Sequence, residues 1–471
     1  MNDTILIRNP LICATMTGDR PVDGEINTFS GGHIYIEKGR ISSIGPTSFP
    51  GTADVIIDAS RMAVLPGLVN THHHFFQTLT RNIFSTENAP LFEWLMTNYE
   101  IWSGLTAEGI RVSTQVAIAE LLKTGSTTTT DHLYLYPEDA GADLLDQAIF
   151  AAREMGIRFQ PTRGSMSLGR SDGGLPPDCV IQKERDIVSD IRRVVKLFHD
   201  DSPGAMTRIA LAPCSPFSVT ADLMRIAVKI ADEYNLQIHT HLAETIDEEK
   251  FCIEKYGLRP FALLKSLGWI RPNAWFAHSI YLNDAEIPEM GVVGCGVTHC
   301  PTSNMRLGSG IARIREMLTA GVNVSLGVDG SASNDSSNML LELRNAMLLS
   351  RLREKGNWLT TDEILWMATR GGAAVLGRDD IGQLAPGKCA DLMMVSMDRL
   401  ECTGAQHDPL AALIFTALLS PVDYVIVNGK VVVDNGELLT CDEKPLIRRH
   451  QDISNELVQR AERNTGKRLR R

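Results

Sequence analysis

Three consecutive imidazoles, His72-His73-His74, close the apolar run Ala63-Val64-Leu65-Pro66-Gly67-Leu68-Val69. The run reads as one buried strand, and side chains two apart on a strand share a face. His72 and His74 therefore point one way and His73 the other, and two neutral imidazoles at a strand end can grip a divalent metal. The same arrangement returns in His239-Thr240-His241-Leu242-Ala243-Glu244, where His239 and His241 share a face and a carboxylate follows. Phe276-Ala277-His278-Ser279 ends another apolar run in an imidazole, and Val324-Ser325-Leu326-Gly327-Val328-Asp329 ends one in a carboxylate. Singly, each has an ordinary explanation: buried histidines are often hydrogen-bonded core residues, and an Asp after a strand often caps the next helix. Their common place at strand ends is what those explanations do not account for.

The elements that must hold these residues repeat along the chain. Strands ending near His74, Leu135, Gly164, Cys214, Glu244, His278, Asn304 and Asp329 alternate with amphipathic stretches such as 187–198 and 221–233. Eight such units over roughly 250 to 300 residues predict an α/β chain with a (β/α)8 barrel, whose active site lies at the C-terminal ends of the strands. Residues 3 to about 60 hold short strand-like runs broken by glycine turns. That texture returns only in 390–395 and 424–433, the latter with an Asn428-Gly429 hairpin signal. Each piece is too small to fold alone, so the two chain ends are expected to build one small β-sandwich domain. The expected organisation is a sandwich part over 1–62, the barrel over 63–382, the second sandwich part over 383–440 and a helical tail over 441–471. The basic end, Lys467 to Arg471, is expected to be solvated.

Composition excludes several classes of function. With 44% apolar and 22% charged residues, the 471-residue chain is globular. Its net charge of −11 lacks the Lys/Arg stripe of a nucleic-acid binder. Nine cysteines, an odd number with no C-x-x-C, indicate neither a disulfide framework nor a thiolate zinc site. The first ten residues show no signal-peptide pattern and no apolar run reaches about 18 residues, so a cytoplasmic protein is expected.

Pro66-Gly67-Leu68-Val69-Asn70-Thr71-His72-His73-His74, His239-Thr240-His241-Leu242-Ala243-Glu244 and Gly327-Val328-Asp329-Gly330-Ser331-Ala332-Ser333-Asn334-Asp335 resemble the amidohydrolase superfamily, in the branch of triazine hydrolases and guanine deaminases. The resemblance runs to about residue 440. It implies one zinc ion, with iron or manganese as alternatives, held by His72, His74, His241 and Asp329, and it leaves His73, His239 and His299 outside the ligand set. Four protein ligands exceed the usual three of a catalytic zinc, so Asp329 is either a true ligand or a weak one whose main task is proton transfer. The chemistry implied is cleavage of an exocyclic C–N bond on an aminated heterocycle. Asp329 is then the general base, Glu244 the proton shuttle to the ring nitrogen and the leaving amine, and His278 a hydrogen-bond donor to the attacking oxygen.

Arg163-Gly164-Ser165-Met166-Ser167-Leu168-Gly169, Gly173-Gly174-Leu175-Pro176-Pro177-Asp178 and Ala212-Pro213-Cys214-Ser215-Pro216-Phe217-Ser218 are similar to the 8-oxoguanine-deaminating members of that branch. This implies a free nucleobase substrate, 8-oxoguanine, converted to urate and ammonia, and base contacts from Gln77, Tyr134 and Cys214, with Tyr136 an alternative to Tyr134. An amide N–H suits O6, a rotatable hydroxyl suits N7, and a thiol donates weakly to O8. Isoxanthopterin and hydroxylated aminotriazines remain alternative substrates, and a non-catalytic purine-binding barrel is the alternative of another class. Retention of both Glu244 and Asp329 favours deamination over dechlorination. Partners are expected to be small molecules, with neither nucleic acid nor membrane, and the enzyme is expected to be a homo-oligomer.

Overall fold

The computed structural model describes residues 4–22, 24–141, 143–353 and 355–471; residues 1–3 of the expected N-terminal unit lie outside the described residues. Eight parallel strands follow one another in sequence order: Leu68–Asn70, Ser126–Leu133, Arg158–Ser165, Ala210–Pro213, Ile238–Leu242, Ala274–His278, Gly296–His299 and Asn323–Leu326. They are buried almost throughout, so buried and exposed positions do not alternate along them. The helices between them are amphipathic in the ordinary way. In Glu184–Phe198 the buried residues are Ile187, Ile191, Val194 and Val195, one stripe at helical spacing, and the rest is mostly charged. Thr106, Thr220 and Thr245 start their helices by accepting a backbone N–H at the third helical position.

The barrel closes between its first and last strands through the residues that carry the chemistry. Thr71 N–H donates to Leu326 O at 3.2 Å and Asp329 N–H to His72 O at 3.0 Å. Beyond them, Asp329–Gly330 pairs in parallel with His73–His74.

The two chain ends do meet in one β unit. Met62–Pro66 pairs antiparallel with Leu392–Ser396 at the middle of a seven-stranded sheet. A second sheet of four strands, all from residues 4–58, faces it, and Ile5, Ile7, Ile34, Ile36, Val64, Leu392, Met394 and Ile426 pack between them. A 23-residue helix, Glu443–Thr465, follows. Among the described residues, no helix is long and apolar enough to cross a membrane.

Four expectations are corrected. The run 63–69 is two strands: Met62–Pro66 belongs to the small sheet and Leu68–Asn70 to the barrel, with the chain crossing at Gly67. A Cβ at Gly67 would lie 2.0 Å from the Thr127 side chain, so only glycine lets the two layers approach there. The second barrel strand stops at Leu133 and not at Leu135. The seventh stops at His299; Asn304 sits on the helix Pro301–Arg306, opened by a proline in its first turn. The basic end is not wholly solvated, because Leu469 is buried and its carbonyl accepts Phe84 N–H at 3.0 Å.

Candidate metal centre and active site

His72, His74 and His241 converge at the C-terminal rim, all buried, and their protonation states follow from their partners. His74 Nδ1 lies 2.8 Å from His132 O and His241 Nδ1 lies 2.7 Å from Cys214 O. A carbonyl only accepts, so each Nδ1 carries the proton and each Nε2 presents a lone pair. His239 Nδ1 is 2.9 Å from Trp275 O, which makes its Nε2 an acceptor. That Nε2 stands 2.8 Å from His72 Nδ1, so His72 also turns a lone pair inward on Nε2. Burial pushes His72 and His239 well below the usual imidazole range and His241 to about 3, which keeps all three neutral.

Three lone pairs therefore meet with a carboxylate. Asp329 Oδ1 is 3.3 Å from both His72 Nε2 and His74 Nε2, and His241 Nε2 is 3.3 Å from His74 Nε2. His72 Nε2 has no hydrogen-bond partner among the described residues. Acceptors this close repel unless a cation lies between them, so the donor set fits a divalent metal, and each imidazole is oriented by a hydrogen bond on its far nitrogen. Burial opposes ionisation of Asp329, and the positive charge of His278 beside it favours ionisation. Its Oδ2 is tied by Ser303 Oγ at 2.6 Å, leaving Oδ1 to face the imidazoles.

His278 and Glu244 stand beside this cluster. His278 Nδ1–H donates to Asn304 Oδ1 at 2.9 Å, and its Nε2 lies 3.7 Å from Glu244 Oε2 and 3.8 Å from Asp329 Oδ2. Burial would lower His278, yet the carboxylates of Glu244 and Asp329 hold it above the usual imidazole range. Burial raises Glu244. The backbone here is strained: Ala243, His278, Ser279 and Asp329 have φ of 50°, 68°, 50° and 62°, each costing about 1 kcal/mol or more. Glu248 pins one of these bends, its carboxylate accepting Ala243 N–H at 2.9 Å and Glu244 N–H at 2.8 Å.

A cavity opens on the cluster and is lined by His74, His241, Glu244, His278 and Asp329. Gln77, Tyr134 and Cys214 line it too. Gln77 Oε1 is buried without a hydrogen-bond partner among the described residues, and a Cβ at Gly330 would lie 1.8 Å from it. Burial raises the Cys214 thiol to about 12, so it remains an S–H donor at neutral pH. Tyr136 stands away from this cavity under the Arg163 guanidinium, 3.8 Å from its ring centre, which separates it from Tyr134.

The other expected residues fall as follows. His73 turns away, its Nε2 2.9 Å from Ser337 Oγ. His299 lines a separate small cavity with Arg315. Sequence reasoning missed His132, which lies with His72, His74 and His241 in one group of close ligand atoms and has an unpartnered buried Nδ1. Its position near the end of a strand was the available signal. It also missed Ser303, Asn304 and Glu248, which act through contacts that spacing does not show.

The amidohydrolase family model matches residues 63–432. An 8-oxoguanine deaminase of Pseudomonas aeruginosa is 46% identical over 96% of this chain and 98% of its own length. A hydroxydechloroatrazine ethylaminohydrolase of Pseudomonas sp. (strain ADP) is 35% identical over 92% of each. An atrazine chlorohydrolase of Arthrobacter aurescens TC1, solved in complex with zinc, superposes with a TM-score of 0.90 at 32% identity, covering 96% of this chain and 100% of that one. With the barrel, the histidine cluster and matches of this length, the chain belongs to the amidohydrolase family.

Proposed function

We propose that this protein hydrolyses 8-oxoguanine to urate and ammonia. The observation that carries this reading is the near full-length similarity to an 8-oxoguanine deaminase, and a cavity lined by two carboxylates together with Gln77, Tyr134 and Cys214 supports it. The metal is zinc, held by His72, His74 and His241 with Asp329. Bound there, zinc supplies the Lewis acidity that makes water nucleophilic near pH 7. Asp329 accepts one proton of the attacking water as its oxygen adds to C2, and His278 donates a hydrogen bond to that oxygen. Glu244 delivers a proton to N3, the second water proton departs on the amine, and the proton held by Asp329 passes to Glu244. Urate and ammonia leave with both carboxylates restored. Gln77, Tyr134 and Cys214 hold the base.

The test is an ultraviolet assay of the metal-loaded protein against 8-oxoguanine, guanine, isoxanthopterin and hydroxylated aminotriazines. The highest kcat/KM is expected on 8-oxoguanine. A higher value on a triazine or a pterin overturns the substrate, and turnover of none of the four, with binding retained, overturns the enzymatic reading in favour of a purine-binding barrel.

Cys214→Ala is expected to lower kcat/KM on 8-oxoguanine by about 5-fold, the low end of the ~1–3 kcal/mol for an unpaired buried carbonyl, because a thiol donates weakly. Guanine, which has no O8, is expected to change less. Equal losses on the two bases would make Cys214 a packing residue.

A further inference from the structure

Tyr99 belongs to the helix Leu91–Trp102, outside the barrel strands. Leu91, Trp94, Leu95 and Tyr99, one face at helical spacing, line the same cavity as the histidine cluster. The ring is fixed in place: Trp102 packs 6.0 Å from it, and Trp102 Nε1–H donates to Thr80 Oγ1 at 3.0 Å. Tyr99 is fully buried, and its hydroxyl has no hydrogen-bond partner among the described residues. Its neighbours on this wall are apolar, so a phenylalanine would pack as well, and a buried hydroxyl left unpaired is a net cost. Burial holds the phenol un-ionised, so it presents an O–H.

A donor with no acceptor among the described residues points to an acceptor on the ligand. Cys214 and Tyr134 line the cavity with Tyr99. With C2 of the base against Glu244 and Asp329, O8, at the opposite end of the purine, points away from the two carboxylates. We propose that the Tyr99 hydroxyl donates a hydrogen bond to the 8-oxo oxygen of the purine and so distinguishes 8-oxoguanine from guanine. This rests on the 8-oxoguanine reading above. A phenol is a stronger donor than a thiol, so Tyr99 carries more of this discrimination than Cys214.

The experiment is Tyr99→Phe, with kcat and KM measured on 8-oxoguanine and guanine, urate and xanthine tested as competitive inhibitors, and Tm recorded. The variant loses one unpartnered buried atom, so its Tm is expected to match or exceed that of the parent. On 8-oxoguanine kcat/KM is expected to fall about 10- to 100-fold, mostly in KM, because the contact is made in ground and transition states alike. On guanine the change is expected to stay within about 2-fold. Inhibition by urate, which keeps O8, is expected to weaken, and inhibition by xanthine, which lacks it, to hold. Equal losses on both bases, or no loss on either, overturn the assignment with the 8-oxoguanine reading intact. A parent enzyme that does not act on 8-oxoguanine overturns that reading and this assignment together, before any variant is measured.

Discussion

His72→Ala is expected to leave the protein without its metal and lower turnover by roughly 10⁴-fold or more, the scale set by losing an activated water. The imidazole makes two connections, one through Nδ1 to His239 and one through Nε2 into the cluster. Alanine removes both, and the remaining donors cannot close the first coordination shell. Elemental analysis is expected to give one zinc per parent chain and close to none in the variant. Two metals per parent chain, or a variant that is metal-free yet active, would refute the ligand assignment.

Glu244→Gln is expected to keep the metal and lose about 10²- to 10⁴-fold in kcat, because the amide fills the same space but cannot pass a proton. The pH profile gives a second readout. Burial raises Glu244, so its acid form persists to higher pH than a free glutamic acid, and parent activity falls as pH rises through that raised value. In the amide variant this limb is expected to disappear. A variant that retains more than about half the parent rate removes Glu244 from the chemistry.

Much of this was legible in the sequence because histidines and acids are rare at the ends of apolar strands, and His72, His74, His241, His278 and Asp329 all stand there. What stayed hidden has physical reasons. Ala63 to Val69 is buried in both of its sheets, so the apolar pattern carries no mark of the change of layer; only the close approach at Gly67 does. Tyr134 and Tyr136 are two apart beyond the end of their strand, where alternation no longer assigns a face. Ser126–Leu133 is buried at every position, so His132 does not stand out by periodicity. Asn304 was read as a strand end, although Pro301 marks a helix start. The place of Tyr99 on the cavity wall depends on how its helix is laid over the barrel, which the C-terminal helix helps to fix. Arg460 reaches Gly104 O and Ser454 reaches Leu79 O, from more than 300 positions away in the chain.

The barrel seam has a consequence for cooperativity. Backbone bonds from Thr71 to Leu326 and from Asp329 to His72, with His73–His74 paired to Asp329–Gly330, join the last strand to the first, so the ring cannot open there without dispersing the proposed metal donors. With the proposed ligands, metal binding and barrel closure would be one equilibrium viewed from two sides, and any ion held only by the closed ring would deepen the folded state by RT ln(1 + [M]/Kd), about 4 kcal/mol at a thousandfold excess over Kd. Chelation would act on this protein as a denaturant acts, at the one joint where the first strand of the ring meets the last.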